Sequence, residues 1–262
     1  MGRRLGQHFL NRKSTLNHIA ESACGERTPL VIEIGAGRGA LTESLLERAD
    51  KVVAIELDPV LIHYLRQKFR DALDAGRLVL IESDILKTDL RAWGQAVIAG
   101  NLPYYITSPI LERLFAASAS WKLAVILVQA EVAARIVAMP GCRDYGYLSV
   151  LVQAQARAEL LFEVPRTSFR PPPKVDSAVV RLEPMDAGIG DLSYFLKFAG
   201  NCFRYKRKTL RNNLAGLYDR SAVEALIGPK DRAEALSVAE LAHLFGALRE
   251  ALTTPRAVVY PT

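Results

Sequence analysis

The sequence predicts an α/β protein with a mostly parallel sheet of seven strands and a small all-helical C-terminal domain. Residues 30–128 alternate short β-branched runs with helical segments, a pattern typical of parallel strands joined by right-handed crossovers. Two further strand-like runs flank the turn at Pro171–Pro173. Proline and glycine interrupt the pattern at residues 183–190, and the rest of the chain is helical in pattern. We therefore expect one domain over residues 1–184 and a second over residues 185–262.

The predicted strands are short apolar runs rich in β-branched residues. In order along the chain they are Leu30–Ile34, Lys51–Glu56, Leu78–Glu82, Ala96–Ala99, Leu123–Val128, Arg157–Phe162 and Ala178–Leu182. The predicted helices carry apolar residues at helical spacing. They are Leu41–Arg48, Val60–Leu73, Pro109–Ala117 and Leu148–Gln155.

Composition excludes several classes of protein. The three cysteines, Cys24, Cys142 and Cys202, are scattered without a CxxC pair, so neither a disulfide framework nor a zinc site is indicated. We expect no metal and a reducing, cytoplasmic environment.

The longest apolar stretch, near Leu123–Val128, is far too short to span a membrane. A net charge of +6 favours a polyanionic partner, although a basic face on a soluble enzyme is an alternative.

A cofactor site is predicted where the first strand meets a helix. Gly35, Gly37 and Gly39 form a GxGxG loop, whose backbone can turn tightly and approach a ligand at a helix N-terminus. Glu33, two positions before the first glycine, completes an arrangement typical of enzymes that use S-adenosylmethionine, because its carboxylate shapes the loop and the amino-acid end of the cofactor. Taken alone, this acidic residue could equally be a loop carboxylate or a helix cap.

Polar residues at the next strand ends extend this site. Glu56 closes the second strand, where a carboxylate can bind both ribose hydroxyls, although that feature alone would suit NAD equally well. Asp84 follows the third strand and is placed to accept from the adenine amine of the cofactor. Asn101 follows the fourth strand, at the mouth of the same crevice.

Asn101-Leu102-Pro103-Tyr104 has a chemistry suited to methylating the exocyclic amine of an adenine. The Asn101 amide oxygen and a carbonyl of Leu102-Pro103 can both accept the hydrogens of that amine, which frees its lone pair for attack. Proline holds the backbone rigid. Tyr104 offers a flat face on which an extruded base can stack. The alternative is an ordinary tight turn after a strand.

A dense basic run occurs in the C-terminal part, with five cations within residues 204–212. If the run is helical, Arg204, Arg207, Lys208 and Arg211 share one face that can follow the phosphates of a nucleic acid. The alternative is a solvated face without a partner.

The chain resembles the rRNA adenine N6-dimethyltransferase family, and within it most closely the bacterial small-subunit branch. The resemblance runs nearly end to end. Its motifs are Gly6–Leu10 (GQHFL), Ile32–Thr42 (IEIGAGRGALT), Ala54–Pro59 (AIELDP), Asn101–Leu111 (NLPYYITSPIL), Gln129–Gly141 (QAEVAARIVAMPG), Tyr145–Ser149 (YGYLS), Phe169–Leu182 (FRPPPKVDSAVVRL) and Lys206–Leu214 (KRKTLRNNL). The chain departs from the family at Leu5, usually aromatic, and at His8, where asparagine is frequent.

The resemblance implies a Rossmann-like class I methyltransferase domain followed by a helical RNA-binding domain. It also implies cofactor contacts at His8 and Leu10 that complete the site, and a clamp in which Phe169 sandwiches the target adenine opposite Tyr104. From the residues alone, Phe169 could equally be a core aromatic.

The implied reaction is dimethylation of two adjacent adenosines in the 3′-terminal hairpin loop of 16S rRNA with S-adenosylmethionine as cofactor. The implied partner is the 30S ribosomal subunit or its precursor, and we expect a cytoplasmic monomer that acts in ribosome biogenesis.

Three rival functions are a large-subunit methylase that confers macrolide resistance, an RNA-binding assembly or transcription factor without turnover, and an NAD oxidoreductase. The KRKTLRNNL and FRPPPKVDS motifs argue against the first. The intact Glu56, Asp84 and NLPY argue against the second, and the loop spacing argues against the third.

Overall fold

A computed structural model describes residues 8–253 of the chain. Gly6 and Gln7 of the first motif, and Leu5 before it, lie outside the described residues. The described chain divides into two compact units, residues 8–134 with 156–185 and residues 135–155 with 186–253. In the first unit the core covers the central strands of a large sheet, and in the second it lies among helices.

The first unit is built on a seven-stranded sheet with the order β4-β3-β2-β5-β6-β9-β7. The strands β2 to β6 run parallel, and β9 is antiparallel to both β6 and β7. A separate two-stranded ribbon pairs β1 with β8. The bounds are β1 Phe9–Leu10, β2 Thr28–Ile34, β3 Ala49–Glu56, β4 Leu78–Glu82, β5 Ala96–Asn101, β6 Trp121–Gln129, β7 Ala156–Val164, β8 Phe169–Arg170 and β9 Ser177–Pro184. The predicted mostly parallel sheet of seven strands is confirmed.

Helices connect these strands as the crossover pattern requires. Their bounds are α1 Lys13–Cys24, α2 Ala40–Leu46, α3 Pro59–Lys68, α4 Arg70–Asp74, α5 Thr107–Ala116 and α6 Ala130–Val137. The single helix predicted over Val60–Leu73 is wrong, because the chain breaks at Phe69, which leaves helical geometry at φ −112° and ψ 30°. The ring of Phe69 is buried against the glycine loop, and a Cβ added at Gly39 would lie 2.4 Å from it.

The named elements of the second unit are all helices within the described residues. They are α7 Tyr147–Gln153, α8 Leu192–Cys202, α9 Leu210–Leu214, α10 Arg220–Leu226 and α11 Val238–Thr253. The division predicted at residue 184 differs from the structure in one respect, because residues 135–155 belong to this helical unit. The physical reason is burial, since Tyr145, Val150 and Ala154 pack into the same core as Phe195 and Phe198.

The sheet order places the ends of neighbouring strands together. The chain winds from β2 through β3 to β4 on one side, then returns to β5 on the other side of β2. The gap between the carboxyl ends of β2 and β5 is therefore the point where the strand order reverses, which is where open α/β sheets bind ligands. Within the described residues, the structure contains no helix both long and apolar enough to cross a membrane.

Candidate active site

A cavity lies at the carboxyl ends of the parallel strands and, with its open mouth, has a volume of about 870 Å³. It is lined by residues that follow β2, β3, β4 and β5, together with the N-terminal segment. The structure brings most of the predicted cofactor and catalytic residues onto its wall: His8, Gly35, Gly37, Glu56, Asp84, Asn101, Pro103 and Tyr104. Leu102, named as a possible carbonyl acceptor, also lines the cavity, and the structure adds Phe9, Leu57, Ser83 and Tyr105, which the sequence analysis missed.

The glycine loop is hydrogen-bonded to the carboxylate of Glu56. The three loop glycines, Gly35, Gly37 and Gly39, have φ values of 75°, 58° and 74°, which side chains rarely allow. The backbone N–H of Gly37 donates to Oε2 of Glu56 at 2.8 Å. Oε1 of Glu56 accepts from the backbone N–H groups of Leu57 and Asp58. The carboxylate at the end of β3 is thus fixed in orientation beside the loop.

Glu33 lies behind the loop rather than on the cavity wall. Its side chain is 1% exposed, and its Oε2 accepts from the Thr42 hydroxyl at 2.6 Å, which ties β2 to the first turn of α2. Burial raises the pKa of Glu33 to about 7, although the hydrogen bond from Thr42 opposes the shift. The geometry supports the predicted shaping of the loop, but it does not support the direct cofactor contact that we expected.

Glu33→Gln is expected to stabilise the fold at pH 8 by about 3 kcal/mol, because a pKa displaced from 4.5 to about 7 costs that much once the carboxyl ionises. The folded pKa lies above the unfolded value. The contribution of Glu33 to stability is therefore complete below pH 4.5 and is lost as pH rises through about 7. Glutamine keeps an acceptor for Thr42. Urea unfolding should show the two proteins diverging between pH 5 and pH 8, and a difference independent of pH would contradict this assignment.

Asp84 follows β4 and projects into the cavity. Its Oδ1 accepts from the backbone N–H of Leu86 at 2.9 Å, and its carbonyl accepts from Lys87 and Thr88. These bonds form a tight turn directly after the strand. The carboxylate is thereby held at the cavity wall with little freedom to rotate.

The amide of Asn101 has one possible orientation. Its Nδ2 lies 3.2 Å from the carbonyl oxygen of His8, and a carbonyl can only accept, so the amide nitrogen must face His8. The acceptor Oδ1 is consequently the atom of the amide turned away from His8. Gly100 before it permits this placement, because a Cβ there would lie 2.5 Å from the carbonyl of Ile34 on β2.

The two carbonyls after Asn101 differ in availability. The Pro103 carbonyl accepts from the backbone N–H of Ile106 at 3.1 Å, so the short helical turn over Tyr104–Ile106 already uses it. The sequence analysis left the choice between Leu102 and Pro103 open. The Leu102 N–H is bonded to Leu127 at 3.0 Å, which fixes the Leu102 peptide at the cavity wall. Leu102 is therefore the better source of the second acceptor, and Pro103 supplies rigidity.

Tyr104 lines the cavity, and a hydrogen bond fixes its hydroxyl. Its Oη and Oγ of Ser177 on β9 are 2.6 Å apart, and burial raises the pKa of the phenol. The ring of His8 stacks beside it, with centroids 6.2 Å apart and planes inclined by 23°. Nδ1 of His8 lies 2.9 Å from the carbonyl of Pro171, which requires Nδ1 to carry a hydrogen.

Two residues taken from the resemblance are buried instead of lining the cavity. Leu10 and Phe169 are 5% and 1% exposed and face each other across the ribbon of β1 and β8. Both belong to the core of the first unit. Neither residue lines the cavity, whereas Phe9 does. The clamp of Phe169 with Tyr104 and the cofactor contact at Leu10 stay predictions.

The basic run is not helical as predicted. The helix α8 ends at Cys202 and α9 begins at Leu210, so residues 203–209 form a turn. The reason is the buried amide of Asn213, whose Oδ1 accepts from the backbone N–H of Tyr205 and whose Nδ2 donates to the carbonyls of Cys202 and Tyr205. We call residues 204–208 the basic turn.

The basic turn displays its cations to solvent. Arg204, Tyr205, Lys206, Arg207 and Lys208 are all exposed, and none of these cations forms a salt bridge within the described part of the chain. The guanidinium of Arg204 lies over the ring of Tyr205 at 5.2 Å. A compact turn of unpaired cations with one exposed aromatic ring is suited to phosphates and to a stacked base.

Arg211 was grouped with this run but makes structural contacts. Its guanidinium donates to the carbonyls of Ile227 at 2.6 Å and Glu224 at 2.9 Å, at the C-terminal end of α10. Such bonds satisfy helix carbonyls that would otherwise lack a partner. Arg211 is therefore removed from the predicted set of phosphate contacts.

Comparison with known proteins identifies close relatives over nearly the whole chain. A sequence profile described as Ribosomal RNA adenine dimethylase matches residues 2–250. A protein of Acidobacterium capsulatum named Ribosomal RNA small subunit methyltransferase A is 41% identical over 260 residues, which cover 94% of this chain and 91% of the relative. A protein of Koribacter versatilis with the same name is 42% identical over 268 residues, covering 94% of each.

Solved structures share the fold. A dimethyladenosine transferase from Plasmodium falciparum superposes with a TM-score of 0.80 at 26% identity, covering 93% of this chain and 98% of that chain. The 23S rRNA methyltransferase ErmE superposes with a TM-score of 0.69 at 28% identity, covering 92% of this chain and 99% of that chain. The first unit therefore has the Rossmann-like fold of the class I methyltransferases, as the sequence predicted.

Proposed function

Because the chain belongs to the ribosomal RNA adenine dimethylase family and is an rRNA adenine dimethyltransferase, we propose that it dimethylates two adjacent adenosines of 16S rRNA. The target is the 3′-terminal hairpin loop of that RNA in the 30S subunit or its precursor, and the methyl donor is S-adenosylmethionine. The observation that carries the proposal is the orientation of Asn101, whose acceptor oxygen is fixed at the wall of the cavity. The protein acts in the cytoplasm as a monomer.

The residues at the strand ends fit S-adenosylmethionine by their chemistry. The Glu56 carboxylate beside the glycine loop suits ribose hydroxyls, and the Asp84 carboxylate suits an adenine amine. The positive-φ loop at Gly35 and Gly37 lets the backbone approach the amino-acid end of the cofactor. When bound there, S-adenosylmethionine supplies an electrophilic methyl group on its sulfonium.

Asn101 and Leu102 orient the nucleophile. The N6 amine of adenine is weakly nucleophilic, because its lone pair is delocalised into the ring. When Oδ1 of Asn101 and the carbonyl of Leu102 each accept one hydrogen, the nitrogen becomes more pyramidal and its lone pair points along a third direction. No strong base is needed, since the nitrogen loses a proton readily once it is alkylated.

Tyr104 holds the adenine ring. Its hydroxyl is anchored to Ser177, so the ring keeps a constant position at the cavity, and a base stacked on it gains about 1–3 kcal/mol. His8 lies on the same wall and limits how far the base can slide. The basic turn supplies electrostatic affinity for the rRNA through Arg204, Arg207 and Lys208.

The strongest rival is methylation of large-subunit rRNA, the activity named for ErmE. This chain is 28% identical to ErmE but about 40% identical to relatives named for the small subunit. The greater similarity favours the small subunit as substrate.

The proposal is tested with tritiated S-adenosylmethionine and small subunits from cells that lack adenine dimethylation. We expect label in dimethyladenosine of the 3′-terminal hairpin loop and none in large subunits treated in the same way. Label confined to large-subunit rRNA would overturn the choice of substrate.

Glu56→Ala is expected to weaken S-adenosylmethionine binding by about 1.5–3 kcal/mol, the range for losing hydrogen bonds to a charged group. The variant also removes the acceptors for Gly37, Leu57 and Asp58, so Glu56→Gln serves as its control because it keeps the side-chain shape and one of the two acceptor oxygens. Calorimetry should rank the affinities as wild type, Gln, then Ala. An unchanged affinity for both variants would remove Glu56 from the ribose site.

A further inference from the structure

An exposed pair of arginines flanks Phe9 at the rim of the cavity. In the ribbon of β1 and β8, Phe9 lies directly opposite Arg170, and Leu10 lies opposite Phe169. Directly opposed residues project from the same face of a ribbon, and neighbouring pairs project from opposite faces. Because Leu10 and Phe169 are buried, Phe9 and Arg170 share the outward face.

Arg38 reaches the same face from the glycine loop. Its guanidinium carbon lies 4.8 Å from the centroid of the Phe9 ring, and that ring is so close to Gly37 that an added Cβ would lie 3.2 Å away. Phe9 therefore has Arg170 beside it and Arg38 above it. The ring restrains the guanidinium of Arg38 and leaves the N–H groups at its edge free to donate.

Neither arginine is neutralised within the protein. Arg38 and Arg170 are exposed, and neither forms a salt bridge with any carboxylate among the residues that the structure describes. Four other exposed arginines of this unit are paired with carboxylates, among them Arg27 with Asp50 and Arg91 with Asp89. Two guanidinium groups that have no carboxylate partner and flank one aromatic ring are suited to binding an oxyanion.

We propose that Arg38 and Arg170 bind a phosphodiester of the RNA strand next to the adenosine that enters the cavity. This inference rests on the proposed function. The site lies outside the enclosed part of the cavity but adjoins it, since Phe9 and Gly37 are on the wall. An adenosine that leaves its stack must bring its own backbone to the rim, where a guanidinium can donate paired N–H groups to the oxygens of a phosphate.

The alternative source of the oxyanion is the carboxylate of the cofactor. A single carboxylate inside the cavity needs one cation, and it would draw Arg38 inward past the Phe9 ring that now restrains it. The outward position of Arg170 has no use in that arrangement. The geometry therefore favours the RNA backbone.

The test uses the double variant Arg38→Ala/Arg170→Ala and small subunits that lack adenine dimethylation. We expect KM for subunits to rise about tenfold and the salt slope of subunit binding to fall by up to about 1.4, or about 0.7 for each single-stranded contact. The Kd for S-adenosylmethionine should stay within about twofold. The variant Arg38→Lys/Arg170→Lys should keep the salt slope and lose part of the affinity, because lysine lacks the fork.

A matched control removes two exposed cations from the same unit without touching the rim. Arg66→Ala/Arg157→Ala loses the same net charge from α3 and β7, and neither residue lines the cavity. The proposal would be overturned if the arginine double variant changed subunit binding no more than this control does. It would also be overturned if that variant bound S-adenosylmethionine tenfold more weakly and subunits as tightly as wild type. If wild type itself labels no small subunit, the proposed function fails, while the salt slopes still report whether these arginines contact RNA.

Discussion

Asn101→Ala is expected to lower the turnover number for methyl transfer by about a hundredfold or more. Removing one preorganised polar group from a reacting centre has effects of this size, because its contribution is made mainly in the transition state. The structure holds this group in place, because the Asn101 amide nitrogen donates to the His8 carbonyl and the residue lines the cavity. Single-turnover measurements with labelled S-adenosylmethionine report the chemical step directly.

A second variant distinguishes the role of the Asn101 amide oxygen, which accepts, from that of its nitrogen, which donates. Asn101→Asp keeps an acceptor oxygen but replaces the donor that binds the His8 carbonyl, so two acceptors would face each other at about 3.2 Å. We expect it to be nearly as impaired as Asn101→Ala. Thermal unfolding and subunit binding should stay close to those of wild type in Asn101→Ala. Turnover near the wild-type rate in that variant would remove Asn101 from the orientation of the amine.

The parts of the site that sequence can predict are those set by local pattern. A strand end followed by an acidic residue or an asparagine is visible as a short apolar run and its next polar residue. Because parallel strands end at one edge of a sheet, the convergence of Glu56, Asp84 and Asn101 follows from their positions alone. The GxGxG loop is equally local, since its glycines are needed for positive φ values.

The parts that sequence reasoning missed depend on contacts between distant segments. The pairing of Phe9 with Arg170 joins residues about 160 positions apart, and nothing in either segment indicates its register. That register decides that Leu10 and Phe169 are buried and that Phe9 reaches the cavity. Similarly, cations have good helix propensity, but the amide of Asn213 outweighs that preference by bonding the backbone of the basic turn.

Replacing Arg204, Arg207 and Lys208 of the basic turn by alanine is expected to weaken binding of small subunits by about a hundredfold at low salt. Loss of up to three phosphate contacts should lower the salt slope by up to about 2.1 for single-stranded RNA. Affinities of variant and wild type should converge at high salt, where screening already weakens such contacts. Filter binding over a salt series measures both quantities. The Kd for S-adenosylmethionine should not change, because the residues proposed to hold it belong to the other unit.

Two controls distinguish a preformed RNA-binding turn from a region that is merely charged. Arg143→Ala/Lys197→Ala/Lys230→Ala removes three exposed cations from the same unit, and we expect it to keep most of the affinity. Asn213→Ala keeps every cation but removes three hydrogen bonds to the backbone, so the turn loses its fixed shape. If shape matters, Asn213→Ala weakens binding while the salt slope falls less than in the triple variant, because the charges remain. If the three surface cations matter as much as the basic turn, only total charge attracts the RNA, and the turn has no special role.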